Sequence, residues 1–168
     1  MSAAPIIVTA EMGAADQHWA DALRTAHFPP ERNVLAAHIT LFHHLPPSML
    51  DELCERLRVL VAGPPPEARL TDVMMLGRGV AYRVESPALR ELRSELAEAF
   101  HGLLTPQDSQ APHLHITVQN KVDPAAARAL YATLAADFVP RPLAIAGLAA
   151  WHYRGGPWEQ AWRGRFRG

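Results

Sequence analysis

One cysteine, Cys54, is all the sulfhydryl chemistry this 168-residue chain contains, so an internal disulfide and a cysteine-based zinc site are both excluded. Cys54 falls among Leu50, Leu53 and Leu57 at helical spacing, which reads as a packed thiol. No apolar run approaches the roughly 20 residues of a membrane-spanning helix, and MSAAPIIVTAEM has neither the basic start nor the apolar stretch of a secretory leader. The cytoplasm is therefore the expected compartment, and no membrane partner is expected. A formal net charge of −1 excludes the global basic field that binds long duplex nucleic acid. Low-complexity tracts are also missing, and with 49% hydrophobic and 20% charged residues the chain reads as one soluble folding unit, expected to be a monomer.

Against that plain background one feature stands out. The tripeptide His-Ile-Thr occurs twice, as His38-Ile39-Thr40 and His115-Ile116-Thr117, 77 residues apart. Random placement of 9 His, 5 Ile and 7 Thr gives an expectation on the order of 0.01 such triplets, far below what weakens most short motifs.

Apolar and β-branched periodicity predicts strands over Pro5–Met12, Val34–Leu45, Ala68–Leu76, Gly79–Glu85, His113–Val122, Pro142–Tyr153 and Trp158–Phe166. Gly77-Arg78-Gly79 would turn the middle pair into a hairpin. Helices are predicted over Asp16–Ala26, from a Ser48 cap through Leu60, from a Ser86-Pro87 start through Phe100, and from Asp123-Pro124 to Asp137. Thr105–Ala111 reads as a loop. Each half thus holds a His-Ile-Thr strand followed by a helix with a proline-containing start. A half-chain repeat in two copies is too long and too few for a solenoid. The expectation is a single bilobal α+β domain over 1–168 with an internal duplication, its lobes of mostly antiparallel sheet related by a pseudo-twofold axis, helices outside and a cleft between.

On a strand, residues i and i+2 share a face, so His38 goes with Thr40 and His115 with Thr117 while the isoleucines point to a core. Two imidazoles, with ordinary pKa ~6.5, can divide the roles of base and acid at neutral pH, and two hydroxyls can hold phosphate oxygens. Cleavage of a phosphodiester needs both a base and an acid, and with this set no metal or other cofactor is expected. His44 and His113 extend the motifs as possible substrate contacts. Tyr82, Tyr153 and Arg154 are further candidates, Arg154 because a guanidinium in a glycine-rich turn suits phosphate. The segment Trp151–Gly168 holds four arginines against one acid, Glu159, a balance that fits a small anionic substrate.

His38-Ile39-Thr40-Leu41-Phe42 and His115-Ile116-Thr117-Val118 resemble the paired motifs of the two-histidine (2H) phosphoesterase superfamily, which includes the bacterial 2′-5′ RNA ligases and cyclic phosphodiesterases. The resemblance extends to the order of strands and helices. It implies a bilobal fold with a central cleft, His38 and His115 as catalytic residues, Thr40 and Thr117 as phosphate-binding residues, and metal-independent chemistry on a small nucleotide or RNA end. Ligase-like members often carry an arginine shortly after the second motif; Gln119-Asn120-Lys121 stands here instead, which leaves the substrate open. Three rival readings compete with this one. The first is a binding module for nucleotides or RNA ends without turnover, and the second a metal hydrolase using His38, His113, His115 and His44. The third is a histidine-triad hydrolase suggested by His113-Leu114-His115-Ile116-Thr117, which leaves the first motif unexplained.

Overall fold

The structure, a computed structural model, describes residues 4–167, so Met1–Ala3 of the segment considered for a leader lie outside it. Among the described residues, eight strands and four α-helices follow in the order β1 (Ile6–Met12), α1 (Ala14–His27), β2 (Ile39–Leu45), α2 (Leu50–Val61), β3 (Ala68–Met75), β4 (Val80–Glu85), α3 (Pro87–Ala99), β5 (His115–Gln119), α4 (Pro124–Asp137), β6 (Arg141–Leu143), β7 (Ile145–His152) and β8 (Glu159–Arg165). They form two four-stranded antiparallel sheets, ordered β2-β1-β7-β8 and β5-β4-β3-β6. The fold is α+β, as expected, and each His-Ile-Thr strand lies at a sheet edge. No helix among the described residues is long and apolar enough to cross a membrane.

The helices cover the faces turned away from the cleft. Trp19 of α1 meets Tyr82 of β4 edge-on at 4.9 Å, and α4 covers the same sheet. On the other sheet α2 packs against β7 and β8 through Leu53, Leu57 and Val61, all buried. Helix α3 starts as its sequence demands: the Leu89 N–H donates to the Ser86 hydroxyl (3.1 Å), that hydroxyl donates to the Glu67 carbonyl (2.6 Å), and Pro87 opens the first turn. Such a cap contributes about 1 kcal/mol.

Several expected boundaries move, each for a local reason. Ser48 does not cap α2. Pro47–Met49 form a single 3₁₀ turn, so the helix begins after Met49 with Ser48 left exposed. Strand β2 starts at Ile39, because residues 30–32 make another 3₁₀ turn and 34–37 run as irregular chain. Strand β5 ends at Gln119, two residues before Lys121, which takes a left-handed conformation (φ 63°).

The expected strand Pro142–Tyr153 is divided at Ala144, whose N–H donates to the Asp16 carboxylate (2.8 Å) and whose carbonyl accepts from Gly13 (2.9 Å). With both backbone groups taken by the start of α1, the chain leaves one sheet as β6 and enters the other as β7. The β3–β4 hairpin turns at Gly77 (φ 83°), and a Cβ at Gly79 would strike the Gln119 carbonyl oxygen.

Candidate active site

A β-bulge immediately follows the threonine of each motif. In the first sheet Thr9 pairs with Thr40 but Val8 with Phe42; in the second Ala81 pairs with Thr117 but Val80 with Gln119. One extra residue per strand reverses the alternation, so Phe42 and Gln119 turn away from the face carrying the threonines. The two edges carrying the motifs come together at the cleft, with His115 close enough for its charge to act on His38.

A bulge leaves main-chain groups without ladder partners, and two buried arginines serve them. Arg93 of α3 donates from Nε to the Leu41 carbonyl (3.1 Å), and Arg24 of α1 donates from Nη1 to the Thr117 carbonyl (3.0 Å). Each guanidinium lies over an aromatic ring, Phe42 at 4.3 Å and Phe28 at 4.2 Å. Burial lowers both arginine pKa values from their ordinary level, with Asp108 and Asp21 respectively opposing the fall.

Arg93 also donates to the Asp108 carbonyl, and the buried Asp108 carboxylate accepts the main-chain N–H groups of His43 (2.9 Å) and His44 (2.8 Å), facing His43 Nδ1 at 3.2 Å. Burial alone would raise the Asp108 pKa, but the bonds from the His43 ring and the two main-chain N–H groups outweigh it and hold the value below the usual carboxylate level. The loop expected over Thr105–Ala111 is thus the brace of the first motif strand.

The catalytic candidates share one more feature. Nδ1 of His38 donates to the Ala36 carbonyl (2.8 Å), and Nδ1 of His115 donates to the His113 carbonyl (2.6 Å). An Nδ1–H held by a backbone oxygen fixes the neutral tautomer and leaves Nε2 as the free position, the arrangement a general base requires. Among the described residues neither Thr40 nor Thr117 spends its hydroxyl on a protein partner. Burial pushes the His38 pKa down to about 4; the bond to Ala36 opposes this, while positive charge on Arg24, His115 and His43 adds to it. Trp158 supplies part of the cover, its ring 4.7 Å from that of His38. His38 is therefore neutral at pH 7.

From His38 a cavity of about 870 Å³ extends across the cleft face of the first sheet, between Trp151 and Trp158 at one end and Glu11, Arg163 and Arg165 at the other. The Trp151 indole N–H donates to the Thr9 hydroxyl (2.9 Å), beside Thr40 in the ladder, and Arg163 Nε donates to Glu11 (2.7 Å).

The remaining candidates are placed less centrally. His44 and His113 are exposed at the strand ends, and His113 contributes its carbonyl. Arg154 and Tyr153 are exposed in the β7–β8 turn, Arg154 paired with Glu159 at 3.1 Å. Tyr82 corrects the expectation of a substrate contact: it pairs with Ile116, so its ring lies on the helix side of the sheet, packed between Trp19 and Phe138 and away from His115. Burial raises its pKa. The proposed metal ligands do not converge, for no group of three or more His, Cys, Asp or Glu among the described residues is arranged to hold an ion.

Sequence reasoning missed Arg24, Arg93, Asp108 and the Trp158 contact. A signal did exist for the arginines, since Arg24 falls four residues after the buried Ala20, and Arg93 four after Leu89 and three before Leu96, charges inside apolar stripes.

Two antiparallel sheets meeting at edge strands that each present a tautomer-locked histidine and a free threonine hydroxyl define a protein of the two-histidine phosphoesterase type. The model of the 2′-5′ RNA ligase superfamily matches residues 13–157, and the chain belongs to that superfamily. The fold is similar to that of TT0787 of Thermus thermophilus (TM-score 0.63, 16% identity, 98% of each chain covered). It is also similar to E. coli LigT complexed with ATP (0.58, 18%, 100% of each chain) and with 3′-AMP (0.59, 18%, 99% of this chain and 100% of that one). No curated protein matches the sequence.

Proposed function

We propose that the chain is a metal-independent phosphodiesterase acting on 2′,3′-cyclic phosphates or on 2′-5′-linked nucleotides and RNA ends, with ligation as the reverse reaction. The observation that carries this reading is the repeated Nδ1–carbonyl bond at His38 and His115, which leaves two Nε2 atoms free in one cleft. His38, half-buried and held neutral by desolvation of its ring, takes the proton from the attacking water. The water oxygen bonds to phosphorus, the bond to the ribose oxygen breaks, and His115, protonated on Nε2, returns a proton to that oxygen. Hydroxyls of Thr40 and Thr117 donate to the non-bridging oxygens as negative charge builds. E. coli LigT complexed with ATP and with 3′-AMP supports a nucleotide as ligand. Both motifs come from one chain, so a monomer holding an internally duplicated pair of lobes suffices.

Product analysis on a panel of 2′,3′-cyclic nucleotides and 2′-5′ dinucleotides tests the reading. Hydrolysis that survives EDTA and requires both histidines is the expected result. Tight nucleotide binding with no product would replace the enzyme by a binding module.

A further inference from the structure

In the proposed reaction two imidazoles and two hydroxyls would face a phosphodiester anion, but neither motif supplies a permanent cation. Arg24 and Arg93 are buried and committed to backbone carbonyls, and Arg154 is paired at a turn. Gln119, which occupies the stretch after the second motif, is turned by the bulge onto the Val80 side, where its Oε1 is buried without a partner.

One arginine stands in register with the catalytic pair. Arg83 of β4 pairs directly with His115 of β5, two positions from the pairing of Ala81 with Thr117. Residues opposite each other in an antiparallel ladder share a face with Cβ atoms about 4.5–5.5 Å apart, so Arg83, His115 and Thr117 all face the cleft. The intervening Ala81 contributes only a methyl group there.

Asp72 on β3, opposite Arg83 in the ladder, accepts from Arg83 Nε through both oxygens, at 3.0 and 3.2 Å. That anchor fixes the plane of the guanidinium at its inner nitrogen. Both terminal nitrogens are left without a protein partner among the described residues, on a side chain 34% exposed. In the other sheet Glu11, two positions beyond Thr9 on β1, is an acid bound to Arg163, and the arginines lining that sheet's cavity, Arg163 and Arg165, lie at its far end from the tryptophans, so Arg83 is the arginine in ladder register with a motif histidine.

We propose that Arg83 is a phosphate-binding residue, its terminal N–H groups gripping the non-bridging oxygens of the scissile phosphate beside Thr117, with Asp72 as the positioning residue that aims it. A fork of donors suits a phosphate better than a point charge does. The proposal rests on the phosphodiesterase reading for the identity of the anion, and its test separates the two.

The experiment measures kcat and KM on a 2′,3′-cyclic nucleotide, and the affinity for inorganic phosphate, for wild type, Arg83→Met, Arg83→Lys and Asp72→Asn. Arg83→Met is expected to lower kcat/KM by about 10²-fold and phosphate affinity by about tenfold with the acid limb of the pH profile unmoved; Arg83→Lys is expected to recover part of both. Asp72→Asn should raise KM with little change in melting temperature. Should Arg83→Met fail to fold, Arg83→Lys decides, with a loss of about tenfold in kcat/KM expected from the lost fork. Wild-type kinetics and wild-type phosphate affinity in the folded Arg83 variant overturn the proposal. If the wild type turns over no cyclic nucleotide, the phosphodiesterase reading fails while the phosphate affinities still decide the role of Arg83.

Discussion

Arg24, near the end of the first helix, donates to the main-chain carbonyl of Thr117, 93 residues further along the chain. The reciprocal bond runs from Arg93, in the second half, to the carbonyl of Leu41, next to Thr40 in the first motif. Each half therefore braces the motif strand of the other at its bulge. Arg93 acts through the backbone that holds the first motif, whereas Arg24 holds the second motif's backbone and its charge also helps to lower the His38 pKa.

Removing either brace leaves a buried carbonyl unpaired and, for Arg93, also exposes the Asp108 carbonyl to the loss. Arg93→Met is expected to cost about 2–4 kcal/mol in urea unfolding, and Arg24→Met about 1–3 kcal/mol. In folded protein both should lower kcat more than they raise KM, because the motif histidines lose their mutual position. Unchanged stability in both would show that the carbonyls find other partners.

Asp108→Ala removes the acceptor of two main-chain N–H groups, and a loss of about 1–3 kcal/mol at pH 7 is expected from thermal or urea unfolding. The sign with pH follows from its lowered pKa. The stabilisation is present above the unfolded-state value and fades as pH falls through the folded one, so wild type and variant should converge in acid.

The architecture was legible in the sequence because apolar periodicity and the Ser86-Pro87 and Asp123-Pro124 starts are local signals. Ends of elements were less so. Whether Ala144 continues a strand depends on Asp16, which is 128 residues away. The histidines and threonines were visible through repetition, whereas Tyr82 was misplaced because composition cannot say which sheet face a ring occupies. Arg83 was invisible for the related reason that its value comes from standing opposite His115, a register no single segment encodes.

His38 has a folded pKa of about 4 against about 6.5 unfolded, so its neutral state contributes stability that is complete above about pH 6.5 and is lost as pH falls towards 4. If His38 is the base, the acid limb of kcat/KM should likewise fall well below 6.5. Histidine titration by NMR and a pH–rate profile check the two independently.

Trp158→Ala strips one wall from His38. Water then reaches the imidazole, its pKa should climb towards 6.5, and the acid limb should move up with it. A limb that stays in place would assign the desolvation to other neighbours.

The central claim is that two histidines, one from each motif, share the proton work at a single phosphate. Turnover of a 2′,3′-cyclic nucleotide by His38→Ala and by His115→Ala tests it most directly. Each substitution is expected to lower kcat by about 10²–10⁴-fold, with a melting temperature close to that of the wild type and no response of the wild type to EDTA. Full activity in either variant would contradict the account.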